Sequence, residues 1–110
     1  MGKAVVAALA ALLLAGCVSQ IAEGKVEKGL LRAGLSPANS ACMAERMVDR
    51  LSIAQLRKLE RLQARKGEPV RPVTLRQYVE RVRRVGDAEV LAVTSSSAAL
   101  CATGIAREAR

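Results

Sequence analysis

The chain has no His, no Trp and no Phe, and Tyr78 is its one aromatic side chain. Without His there is no Ser–His or Cys–His nucleophile pair, and the commonest zinc ligand is missing. Without stacking rings, a surface for single-stranded nucleic acid loses its usual platform. The core has to be aliphatic, and an aliphatic core in a small domain is thin. Acid is scarce too: 10 Asp and Glu against 18 Lys and Arg give a net charge of +8 over 110 residues. No apolar run reaches the roughly 20 residues that a helix needs to cross a bilayer.

The longest apolar run, residues 4–15, contains only Ala, Val and Leu. It follows Met1-Gly2-Lys3 and stops at Gly16-Cys17. That is the length of a secretory h-region. The alternative is a buried N-terminal helix, but such a helix normally carries a polar face. Leu14-Ala15-Gly16-Cys17 resembles the lipobox of bacterial lipoproteins, with Leu three positions before Cys and small residues between. The resemblance implies a diacylglycerol thioether on Cys17, cleavage between Gly16 and Cys17, and an acylated new amino group. Val18 stands where an Asp would retain such a protein in the inner membrane, so the implied site is the outer membrane, facing the periplasm. Several acyl chains on one residue anchor firmly, at about 0.8 kcal/mol per buried methylene. The mature chain, residues 17–110, keeps 17 basic against 10 acidic side chains.

With Cys17 lipidated, Cys42 and Cys101 remain. In an oxidising compartment an even pair points to one disulfide. It would span 59 residues and constrain the unfolded chain by about 4 kcal/mol. Two buried free thiols or a redox pair are the alternatives. The spacing excludes a C-x-x-C motif, and two Cys without His make a poor metal site.

The rest of the sequence predicts an all-α fold, a small bundle of four to five short helices. Residues 17–35 read as a lipidated N-terminus, a tether and a weak first helix, because Gly24 and Gly29 each cost a helix about 1 kcal/mol. Residues 36–106 form the expected helical domain and 107–110 a tail. Ser36-Pro37 starts a helix reaching about Leu51, with a Ser N-cap and Pro at the first position. Its apolar face is Ala41, Met43, Ala44, Met47, Val48 and Leu51; Cys42 falls toward the polar side, which would put a disulfide at the bundle's flank. Ser52 and Gln55 form a capping-box pattern opening a helix to about Lys66, with Ile53, Leu56, Leu59 and Leu62 as its stripe. Residues 67–73, with two prolines, form a linker. Thr74 and Gln77 repeat the capping box and open a helix to Val85, closed by Gly86. Asp87 caps a last helix, in which Ser95-Ser96-Ser97 offers a small-residue patch; a strand pair in this Val-, Ser- and Thr-rich stretch, or a Ser-rich turn splitting the helix, are the alternatives.

No spacing announces catalysis. Ser95-Ser96-Ser97 has no His base and no strand–turn–helix setting. Glu45 and Asp49 stand a turn apart on a polar face with Arg46, where salt bridging is the simpler reading. No catalytic residue, metal or cofactor is expected. The arginines carry the functional expectation. Residues 57–84 hold ten Lys and Arg against Glu60, Glu68 and Glu80. Arg57, Arg61, Arg65, Arg71, Arg76, Arg81, Arg83 and Arg84 are the candidate contacts for an anionic surface, since guanidinium binds phosphate bidentately. A merely solvated basic face is the alternative. In the envelope the polyanions are lipid headgroups and lipopolysaccharide rather than nucleic acid. The expected function is an envelope-anchored, non-catalytic interaction module; an inhibitor or immunity-type lipoprotein bound to one envelope enzyme, or a hydrolase, stand behind it.

Overall fold

A computed structural model describes residues 20–104. The lipobox, Cys17 and the tail beyond Gly104 lie outside the described residues. Those described fold as five α-helices with no strand among them: α1 over residues 20–33, α2 Pro37–Arg50, α3 Ile53–Lys58, α4 Leu75–Arg83 and α5 Ala88–Thr103. None is long and apolar enough to cross a membrane.

Over residues 20–33, helix α1 is packed into the core. Leu30 and Ala33 are buried in the core. Gly29 is buried because the Gln63 side chain occupies the space where a Cβ would sit, so its low helix propensity is offset by a tertiary contact. The helix ends in a Schellman motif. Gly34 (φ 108°) donates its N–H to the Leu31 carbonyl at 3.0 Å, and Leu35 donates to Leu30 at 3.1 Å. Leu30 and Leu35, the apolar pair that accompanies this motif, are both buried. The linker docks here. The Val73 N–H donates to the Gly34 carbonyl at 2.9 Å, and the Arg71 carbonyl lies where a side chain at 34 would begin. Only glycine satisfies both the backbone angle and that approach.

Helix α2 begins as the sequence predicts. Ser36 Oγ accepts from the Asn39 N–H at 3.2 Å, with Pro37 at the first position. Met43, Ala44 and Met47 are fully buried. Cys42 is buried as well, at 6% exposure, so the polar side of α2 does not extend to it. The last turn of α5 covers that flank and brings Cys101 into the bond, with 5.9 Å between the Cα atoms.

The next segment departs from the expected helix to Lys66. Its capping box forms, with Gln55 N–H to Ser52 Oγ at 3.2 Å and Ser52 N–H to Gln55 Oε1 at 3.0 Å. The α-helix stops at Lys58, however, and tightens into a 3₁₀ turn over Leu59–Leu62. Gln63 is already extended. The backbone then turns to α1 instead: the Ala64 N–H donates to the Arg32 carbonyl at 3.0 Å and Arg32 Nη2 donates to the Ala64 carbonyl at 2.8 Å. Two tertiary hydrogen bonds replace another helical turn. Ile53, expected in the buried stripe, is 58% exposed.

Helices α4 and α5 complete the core. Thr74 and Gln77 form the second capping box, and α4 buries Tyr78 and Val82. Asp87 Oδ1 accepts from the Val90 N–H at 3.1 Å and starts α5. That helix is unbroken through the three serines to Thr103. It packs against both α2 and α4, and Val90, Thr94, Ser97, Ala98 and Cys101 are its buried residues. Thr94 and Ser97 are small enough for close approach. Their hydroxyls are buried without hydrogen-bond partners among the described residues. Ser96 turns outward and bonds the Val93 carbonyl at 3.1 Å.

Candidate functional site

Two features stand out on this scaffold: an arginine-bearing surface and an apolar groove. Helix α4 makes the first. At about 100° per residue, Leu75, Tyr78, Val79 and Val82 share one arc, and Arg76, Arg81, Arg83 and Arg84 share the opposite one. The same periodicity that buries the ring therefore presents the guanidinium groups. All eight arginines singled out in the sequence are exposed. Arg83 lies 3.5 Å from Glu80; the other described ion pair joins Lys58 to Asp87.

The structure brings some of these residues together and separates others. Arg71 and Arg81 line a groove of about 450 Å³ with Arg32 and Glu68. Arg32 was not legible as a member of this group. Its role depends on the Ala64 contact across 32 residues of sequence, which no local pattern announces. Arg57 belongs to a different groove, described next. Lys58 is tied to Asp87 Oδ2 at 2.8 Å. This bond, followed by the Val90 N–H, holds the Asp87 carboxyl below its usual value.

The apolar groove has a volume of about 420 Å³ and runs between α1 and the α3–3₁₀ segment. Val26, Leu30, Leu56 and Leu59 line it, and the Tyr78 ring contributes from α4. Ile21 from α1 and Ile53 from α3 also line it and are 62% and 58% exposed. Lys25, Arg57 and Glu60 are its charged residues. Tyr78 is 1% exposed, and burial pushes its phenol far above the ordinary value, so it stays a neutral hydroxyl. The groove was not foreseen from sequence. A signal existed: Ala22, Val26, Leu30 and Ala33 recur at helical spacing, the mark of a helix with a face to bury.

No three Cys, Asp or Glu side chains gather as metal ligands among the described residues. Ser97 lies in the buried crossing of α5, and Glu45 is half-buried while Asp49 is exposed. Compared with protein-family models, curated proteins and solved structures, the chain matches none.

Proposed function

We propose that the protein is an envelope-anchored, non-catalytic interaction module, tethered through lipid on Cys17 and contacting anionic headgroups through its arginine face. The observation that supports this most is the segregation on α4, where Arg76, Arg81, Arg83 and Arg84 stand exposed opposite Tyr78 and Val82. A helix so divided fixes its apolar side in the core and leaves the cationic side for a partner. The partners of that chemistry in an envelope are phospholipid headgroups and lipopolysaccharide phosphates.

The test has two parts. The intact mass of protein purified unreduced from membranes of its host should equal residues 17–110 plus a diacylglyceryl group and an acyl chain, two hydrogens light. Cosedimentation with phosphatidylglycerol vesicles should exceed that with phosphatidylcholine and fall with added salt. Reversing Arg76, Arg83 and Arg84 to Glu removes at least three contacts at about 1 kcal/mol each. Affinity should fall by about a hundredfold or more. Unchanged binding by the triple variant would sink the electrostatic contact. An unprocessed chain without lipid would sink the anchor.

A further inference from the structure

We propose that the groove between α1 and the α3–3₁₀ segment is a binding site for a single-chain anionic amphiphile. The acyl tail lies against the aliphatic lining and the head sits by Lys25 and Arg57. Three observations carry this. First, the groove's volume of about 420 Å³ falls within the range of small-ligand sites. Second, its wall is aliphatic from two different elements, and it leaves Ile21 and Ile53 in water. Exposed side chains of that size cost free energy that an apolar ligand recovers, at about 25 cal/mol per Å² covered.

Third, its polar groups suit an anion. Lys25 and Arg57 line the groove, and neither takes part in the described ion pairs. Glu60 is the one acid in the lining, so the balance is cationic. The Tyr78 ring, 1% exposed, closes the wall from α4 and adds no charge to it. A head carrying acceptor oxygens, a carboxylate or a phosphate, complements the two cations. The site lies on the side of α4 turned away from the arginine arc and does not depend on the vesicle contact proposed above.

The probe is hexadecanoic acid with a diazirine near the tail end, added to the full-length chain held in phosphatidylcholine nanodiscs. After irradiation, adducts should map to peptides covering both residues 21–30 and residues 53–63. Untagged hexadecanoate or lysophosphatidylglycerol should compete. Competition by the first alone assigns a carboxylate head, and by the second alone a phosphate head; each supports the site. Lys25→Ala with Arg57→Ala should weaken labelling about tenfold, the scale of a lost charge-assisted hydrogen bond. Ala22→Trp should fill the groove and reduce labelling to background with an unchanged melting curve. Ile53→Glu, at an exposed position, replaces it if the Trp variant unfolds. Wild-type labelling in these groove variants overturns the proposal, as do adducts confined to residues 80–84, which mean adsorption on the arginine face. Self-association that shields the groove and leaves no adduct overturns it in favour of a second copy.

Discussion

Gly24 and Gly29 sit in the same helix and carry the same intrinsic penalty, yet they are not equivalent. A Cβ at Gly29 would meet Gln63 Nε2 at 2.6 Å, whereas one at Gly24 would meet nothing within 4 Å. Gly24→Ala should therefore raise the unfolding free energy by about 0.8 kcal/mol, the helix-propensity difference alone. Gly29→Ala should gain less or lose, because Gln63 must leave its seat beside the segment that docks on α1. Parallel urea denaturation of the two variants decides it; equal gains would mean that Gln63 contributes nothing to holding α1. The glycines show why propensity misjudged residues 21–33. Propensity counts what each residue costs an isolated helix, and here one of the two glycines is the condition for a tertiary contact.

At the scale of elements, the helix starts were legible and the helix ends were less so. Ser36, Ser52, Thr74 and Asp87 each cap the helix predicted for them, because an N-cap is a local bond within four residues. The end of α3 was not legible, because it is set by Arg32 and Ala64, far apart in sequence. The same distinction divides the candidate sites. The arginine arc of α4 follows from periodicity within one helix, while the apolar groove needs α1 to lie beside α3. Asp87 joins the two levels: it caps α5 locally and reaches Lys58 across 29 residues. With its pKa lowered in the folded state, it stabilises the fold above the ordinary carboxylate value. That contribution disappears as pH falls through the lowered value. Lys58→Met should move the Asp87 titration back upward, read from its carboxyl-carbon NMR shift, and should weaken the acid dependence of stability in that window. An unmoved titration would mean that the Lys58 hydrogen bond does not set it.

Over the whole molecule, α5 is the element that both α2 and α4 pack against, and it is also the end of the Cys42–Cys101 bond. The core gathered around it is aliphatic apart from Tyr78, and two hydroxyls, Thr94 and Ser97, are buried in it without partners among the described residues. Each such group costs about 1–3 kcal/mol when left unsatisfied. A domain of this size has only about 5–15 kcal/mol of net stability to lose. The covalent link is therefore expected to decide whether the bundle persists. Its two ends are separated by 59 residues, so opening it returns about 4 kcal/mol of chain entropy to the unfolded state. Cys42→Ala with Cys101→Ala should lower the melting temperature by more than about 15 °C, given roughly 4–8 °C per kcal/mol at this length. Reducing agent should do the same to the native chain and nothing further to the double variant. The loss should appear as a higher unfolding rate only where the bond constrains the native packing. If the link acts through the unfolded chain, folding should slow instead. A melting temperature unmoved by either treatment would mean that the aliphatic core holds α5 without the bond.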